Sequence, residues 1–231
     1  MSVMNPTAHE GATLYFREAC CTSLEAVRAA WRTGTRRIEL CERLEVGGVT
    51  PSESLLREVL DFAAQAPVAA DGGAPLPVNV LIRPRGGDFV YDAAEAEQMT
   101  ESIRLCRDLG ANGVVIGALT PEGAVDLPLM RRLMEAAKGL SVTFHRAFDE
   151  AADPFGALED VIALSCDRLL SSGQAPDAFT GRMLLGALVR QAAGRIVVMP
   201  GCGVRPGNIA QLALDSGAQE FHSSCISPDW P

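Results

Sequence analysis

The strongest constraint on the fold is a regular alternation of short apolar segments with longer amphipathic ones. Eight segments have the character of strands: Leu14–Cys20, Arg37–Cys41, Pro77–Arg83, Asn112–Gly117, Ser141–Arg146, Arg168–Ser171, Arg195–Met199 and Glu220–Ser223. Seven segments between them have helical apolar spacing: Ser23–Thr33, Ser52–Ala66, Asp92–Leu109, Asp126–Lys138, Pro154–Leu164, Ala178–Ala193 and Pro206–Asp215. Strands that alternate with helices are typical of an α/β protein with a parallel sheet.

Eight strands and seven helices predict a (β/α)8 barrel of the TIM type that lacks its last helix. A doubly wound sheet is the competing architecture. It usually opens with a Gly-x-Gly-x-x-Gly turn after the first strand, and no such turn follows Cys20. We expect residues 13–231 to form this one domain after a flexible tail of residues 1–12. Between Ala66 and Pro77, the stretch Asp71-Gly-Gly-Ala-Pro is expected to be a loop, inserted with no sequence signal of its own.

Without a last helix, the outer faces of the first and eighth strands would be left uncovered. We therefore expect either a second subunit or the N-terminal tail to shield them.

Charge and cysteine usage exclude several classes of protein. A formal net charge of -9 argues against non-specific binding of nucleic acid, which needs a basic face. No apolar run approaches the roughly 20 residues needed to span a bilayer. The polar N-terminus carries no signal-peptide pattern. Seven cysteines without the spacing of a disulfide scaffold indicate a reducing compartment, so we predict a cytoplasmic protein.

Polar residues occur where the predicted strands end, which is the face on which barrels of this type build active sites. The candidates for catalysis are Glu18, Glu39, Arg83, His145, Arg146 and His222. Each carboxylate could instead form a structural ion pair with Arg83 or Arg146. Several charged groups that converge inside a barrel are costly unless they are paired and solvated, and the set as a whole is therefore a functional candidate.

The residue types that are scarce in the sequence disfavour some classes of reaction. The only lysine, Lys138, lies at the end of a helix, and imine-forming chemistry is therefore disfavoured. The remaining carboxylate, histidine and arginine groups would suit proton abstraction beside a carbonyl, or the binding of an anion. In that interpretation the two arginines clamp the anion, while His145 and Glu39 move protons.

Two glycine-containing loops are candidates for binding a phosphate or carboxylate. Barrels often bind phosphate at the loops after strands seven and eight, through backbone N–H groups and a helix N-terminus. The candidate residues are Ser172, Gly173, Gly201, Cys202 and Gly203. A tight turn alone would also require such glycines.

Two thiols support a different interpretation. Cys20 and Cys41 lie on neighbouring predicted strands, which run about 4.8 Å apart, so both sulfurs could surround one ion. Soft thiolates select Cu(I) over harder metals. The alternative is that both cysteines are buried and pack as small hydrophobic residues.

The sequence resembles the CutC family, known as copper-homeostasis proteins. The matching stretches are Glu18–Cys20, Arg37–Cys41, Gly47–Ser52, Ile82–Phe89, Gly117–Thr120, Val142–Phe148, Ser172–Gln174, Val198–Gly201 and Glu220–Ser223. The resemblance implies a single β/α barrel, often homo-oligomeric, and cytoplasmic binding of Cu(I) at Cys20 and Cys41. One departure is Cys202, which interrupts a turn that is usually all glycine.

Three hypotheses follow. The first is a cytoplasmic copper-homeostasis protein that binds Cu(I) through Cys20 and Cys41. The second is a barrel enzyme with lyase-like or isomerase-like acid–base chemistry on a small anionic or phosphorylated substrate. The third is a binding barrel without turnover.

Overall fold

The computed structural model describes residues 15–231, and a parallel barrel sheet forms its centre. The strands are β1 (Phe16–Cys21), β2 (Arg37–Leu40), β3 (Val78–Leu81), β4 (Gly113–Ile116), β5 (Ser141–Phe144), β6 (Arg168–Ser171), β7 (Val197–Pro200) and β8 (Glu220–Ser223). Their order in the sheet is β8-β1-β2-β3-β4-β5-β6-β7, and every ladder is parallel. Strands β7 and β8 lie side by side, which brings the ends of the sheet together. The predicted (β/α)8 barrel is therefore confirmed, in a nearly closed form.

Seven helices follow the strands around the outside of the barrel. They are α1 (Leu24–Arg32), α2 (Glu53–Ala63), α3 (Ala93–Asp108), α4 (Leu127–Ala136), α5 (Pro154–Ala163), α6 (Arg182–Ala192) and α7 (Ile209–Ser216). Asp92 begins α3 with a capping box. Its carboxylate accepts a hydrogen bond from the Glu95 amide, and the Glu95 carboxylate accepts one from the Asp92 amide. Among the helices of residues 15–231, none combines the length and apolarity of a bilayer span.

Helix α6 begins at Arg182, four residues after the predicted start at Ala178. The amide of Ala178 donates instead to the carbonyl of Cys202, and Asp177 accepts from the amide of Thr180. These bonds form a turn, so the prediction was wrong for the first four residues.

The segment between α2 and β3 is also more regular than predicted. Pro67–Val68 pairs antiparallel with Ala74–Pro75, and a 3₁₀ turn over Ala69–Asp71 joins them. The predicted loop over Asp71–Pro75 was wrong in part, because Ala74–Pro75 forms one strand of this small hairpin.

Strand β2 shows how alternation divides the residues of the barrel. Ile38 and Leu40 point outward and pack with the helices in the large apolar core. Glu39 and Cys41 point inward, and both are buried. Such alternation is expected because successive side chains of a strand point to opposite faces.

The outer face of β1 is partly covered by the last residues of the chain. The Trp230 ring packs against the core, and the guanidinium of Arg17 lies 4.6 Å from its centroid. The ring of Tyr15 meets that of Phe221 on β8 edge to face at 5.5 Å. We expected a second subunit or residues 1–12 to provide this cover. Residues 1–12 lie outside the described chain, and the homo-oligomer remains a prediction.

Candidate functional site

Strands β1, β2 and β8 bring acidic, sulfur and imidazole groups together inside the barrel. In the ladders, Glu18 is opposite His222 on one side and Arg37 on the other, while Cys20 is opposite Glu39. All five residues are buried. The sequence-based prediction that the first two strands present carboxylates and thiols to one interior therefore agrees with this arrangement.

The two thiols lie against each other in an apolar corner. The Sγ atoms of Cys20 and Cys41 are 3.6 Å apart, and the pair forms a small buried cluster with Leu81 and Val115. Gly48 completes the corner, since a Cβ there would lie 3.6 Å from the Cys41 sulfur. The hydrogen bond between the thiols, burial and the nearby Glu39 raise the pKa of Cys20 well above its ordinary value. The Cys20 thiol is therefore protonated in the resting protein.

Glu39 adds a third donor beside the thiols. One of its oxygens lies within 4.8 Å of both sulfurs, and its Oε2 is buried without a hydrogen-bond partner. Burial, together with the charge of Glu18, raises the pKa of Glu39 to about 7 against the lowering effects of His222 and Arg37. Metal–sulfur bonds are about 2.3 Å long for zinc, so two sulfurs 3.6 Å apart are within reach of a single ion. These residues therefore fit a soft metal ion.

His222 lies between two carboxylates. Its Nδ1 is 2.8 Å from Glu18 Oε1 and 3.9 Å from Glu39 Oε2. Burial alone would raise the pKa of Glu18, but the charge of Arg37 and the contact with His222 lower it to about 2. Burial would likewise lower the pKa of His222, yet Glu39 and Glu18 raise it. The arrangement can thus hold a proton or a cation between the two acids.

The polar interior continues toward the N-terminal ends of the strands, and the sequence analysis missed this part. Arg37 pairs with Glu18 and donates to Glu220 Oε2 at 2.7 Å, and Arg168 donates to the same oxygen at 2.8 Å. Each of the three missed residues is the first of its strand, whereas we searched only the strand ends. Period-two alternation from Glu39 and His222 back to Arg37 and Glu220 is the signal that would have found two of them. Arg168 has no such signal, since Leu170 follows it at the same spacing.

Arg83 and His145 form a separate group near the mouth of the barrel. Both side chains are buried, with the Arg83 guanidinium 4.6 Å from the Phe89 ring and the His145 ring 5.0 Å from it. Arg83 donates through its two terminal nitrogens to the carbonyls of Val46, Gly48 and Gly87, while its buried Nε has no partner. Its role in clamping an anion stays a prediction.

His145 is a weak base in this setting. Burial, followed by the charge of Arg83, lowers the pKa of His145 to about 3. We predicted that His145 acts with Glu39. The structure instead places His222 next to that carboxylate.

Arg146 and the loop after β6 are bound to a carboxylate of the chain itself. Asp149 accepts from Arg146 Nε at 2.8 Å, from the hydroxyls of Ser171 and Ser172, and from the amides of Ser172 and Gln174. This carboxylate occupies the donors of Ser172 that we assigned to a phosphate. The amide of Gly173 itself donates to Ser171 Oγ.

The loop after β7 is a close-packed turn. The amide of Gly201 donates to the Ser171 carbonyl, and a Cβ at Gly201 would lie 2.4 Å from a Leu170 methyl group. Cys202 has a φ of 73°, an unusual backbone conformation for a residue with a side chain, and Gly203 has a φ of 74°. The internal use of the Gly201 amide weighs against an anion site here, which stays a prediction.

Two clefts formed by described residues lie away from this site. One of about 480 Å³ is at the opposite end of the barrel beside Phe16 and Glu220, and one of about 380 Å³ lies beside Arg28 and Asp61 on α1 and α2. None of the predicted site residues lines either cleft.

Comparison with known proteins gives a consistent result over most of the chain. A model of the CutC family matches residues 15–227. Relatives named family protein CutC from Parabacteroides distasonis and Chromobacterium violaceum are 48% and 50% identical over 210 and 207 residues. These matches cover 91% and 90% of this chain and 82% and 79% of the relatives.

Solved structures agree. A crystal structure of CutC from Streptococcus agalactiae, for which a copper homeostasis role has been proposed, is 30% identical with a TM-score of 0.85. The match covers 92% of this chain and 100% of that chain. A deoxyribose phosphate aldolase from Aeropyrum pernix, at 15% identity and a TM-score of 0.64, shares the fold alone.

Proposed function

This chain belongs to the CutC family, and from that premise we propose that it binds Cu(I) through Cys20 and Cys41 and serves copper homeostasis in the cytoplasm. The observation that carries the proposal is the 3.6 Å contact between the two sulfurs in a buried corner. Thiolates are the soft donors that Cu(I) prefers.

The surroundings of the sulfurs support a soft ion over a hydrated one. Leu81 and Val115 form an apolar wall beside them, and Gly48 packs closely against the Cys41 side chain, where a Cβ would lie 3.6 Å from the sulfur. Because thiolates rather than thiols bind metals, uptake of Cu(I) must release the proton that Cys20 holds. Copper affinity should therefore rise with pH.

The test is a Cu(I) titration of the reduced protein against a competing chelator of known affinity. We expect one Cu(I) per chain, and loss of that binding in the Cys20→Ser/Cys41→Ser variant. The matched control is Cys202→Ser/Cys225→Ser, which removes two half-exposed thiols and should bind copper as the wild type does. If the Cys20→Ser/Cys41→Ser protein kept wild-type affinity, the assignment would be refuted.

A second candidate function is acid–base catalysis on a small anionic substrate. Its support is the contact of His222 with Glu18 and Glu39, together with the pKa of about 7 for Glu39, since groups that titrate near the working pH are efficient in proton transfer. The test is exchange of carbon-bound hydrogen for deuterium in a panel of small oxo-acids and sugar phosphates, followed by NMR. Exchange that Glu39→Gln abolishes would support catalysis, and its absence throughout the panel would count against it.

A further inference from the structure

A second group of metal-binding donors lies beside the thiol pair and is chemically different from it. A ring nitrogen of His222 and one carboxylate oxygen each from Glu18 and Glu39 lie within 4.8 Å of one another. The exposed fractions of the three residues are 8%, 0% and 5%. Glu39 Oε2 is buried without a hydrogen-bond partner and lies 3.9 Å from His222 Nδ1. An unpaired buried carboxylate oxygen that faces an imidazole needs a proton or a cation.

One of these donors, Glu18, is held in a fixed orientation by a neighbouring side chain. Arg37 binds Glu18 through Oε2, and this leaves Oε1 directed at His222. Fixing one oxygen of a ligating carboxylate in this way is a common feature of protein metal sites. The Arg37 side chain also contacts Glu220, so its position is set from both sides.

The charges of the interior favour a cation over an anion. The connected groups are three carboxylates, on Glu18, Glu39 and Glu220, and two guanidinium groups, on Arg37 and Arg168. When the imidazole of His222 is neutral, as it must be to bind a metal ion, one negative charge is left over in a buried place. A bound cation would balance it, whereas an anion would add to the imbalance.

We propose that Glu18, Glu39 and His222 bind a divalent transition-metal ion of the Zn²⁺ type, at a site distinct from the Cu(I) site of the two thiols. One imidazole nitrogen and two carboxylate oxygens suit Zn²⁺ and similar ions, whereas Cu(I) prefers sulfur. Glu39 belongs to both groups of donors. Occupation of either site therefore changes the affinity of the other, by the same factor in both directions.

The experiment uses the full chain with the Cys20→Ser/Cys41→Ser substitutions and Co²⁺ as the probe. Thiolate ligation gives Co²⁺ a sulfur-to-metal charge-transfer band in the near ultraviolet, and nitrogen and oxygen ligands do not. We expect one Co²⁺ per chain without that band, displaced by Zn²⁺. Adding His222→Asn or Glu39→Gln should weaken Co²⁺ binding at least tenfold, and the exposed control Glu101→Gln should not change it.

Two results would overturn the proposal. In one, Co²⁺ binds the wild type with the charge-transfer band and does not bind the Cys20→Ser/Cys41→Ser protein, so the ion belongs to the thiols. In the other, binding persists unchanged in the His222→Asn and Glu39→Gln proteins. Failure of the copper proposal is read separately, from Cu(I) titration of the same variants.

NMR tests the same site if the His222→Asn or Glu39→Gln substitution prevents folding. Paramagnetic Co²⁺ bound at the proposed site must shift or broaden the NMR signals of the His222 imidazole in the Cys20→Ser/Cys41→Ser protein. The chain has only three histidines, so these signals are readily resolved. Unperturbed His222 signals at saturating Co²⁺ would refute the site without any further variant.

Discussion

Replacing Glu39 with glutamine should remove a loss of stability that the wild type suffers as the pH rises from about 4.5 to about 7. The ordinary pKa of 4.5 applies to the unfolded chain, whereas burial raises the pKa in the folded protein to about 7. Between these values the unfolded chain releases a proton that the folded protein retains, so the folded state loses stability as the pH increases. At about 1.4 kcal/mol per pKa unit, the loss amounts to about 3 kcal/mol.

Urea denaturation followed by far-ultraviolet circular dichroism at pH 5 and pH 8 measures the effect, with a reductant and a chelator present. We expect the free energy of unfolding to fall by about 2.5 kcal/mol more in the wild type than in Glu39→Gln over this interval, because part of the loss already occurs below pH 5. The control Glu101→Gln removes an exposed carboxylate from α3 and should follow the wild type. Equal pH dependence of the wild type and Glu39→Gln would refute the reasoning.

Three further predictions concern the residues around the site. Glu18→Gln breaks the buried ion pair with Arg37, which keeps only its bond to Glu220, so the free energy of unfolding at pH 7 should drop by about 3 kcal/mol in urea denaturation. A drop below about 1 kcal/mol would contradict the importance of that ion pair. Gly48→Ala places a Cβ 2.8 Å from a methyl group of Leu81, so the melting temperature and the Cu(I) affinity of this variant should both fall. The control is Gly34→Ala, which has a similar positive φ but open space around it, and both quantities should be higher in that variant. Asp149→Ala empties a cradle of five donor groups, so phosphate should raise the melting temperature of this variant and not of the wild type; an equal rise in both would argue against the cradle.

The fold and half of the site could be predicted from local patterns. Alternation of apolar and amphipathic segments sets the order of strands and helices, and the two-residue period of a strand places Glu18 with Cys20 and Glu39 with Cys41. Because β1 and β2 are neighbours in both sequence and space, their side chains meet without further information.

The remaining contacts depend on the register around the whole barrel, which no local pattern contains. His222 reaches Glu18 only because β8 pairs with β1 across a separation of 204 residues. His145 and His222 both stand at the end of a strand, and the sequence alone could not tell which of them meets Glu39. Asp149 was missed because no spacing in the sequence indicates that a carboxylate will accept hydrogen bonds from a neighbouring loop.

The ladder between β1 and β2 has a consequence for kinetics. The spacing of the two sulfurs is set by hydrogen-bonded backbone on both strands, which is the part of a barrel that opens least often. The loop with Gly47 and Gly48, by contrast, lies directly above Cys41 and bends through two positive φ angles of 87° and 86°. The rates at which a metal ion binds to and leaves the sulfurs should therefore be set by local opening of that loop. The residence time of the ion should stay the same when global unfolding is slowed.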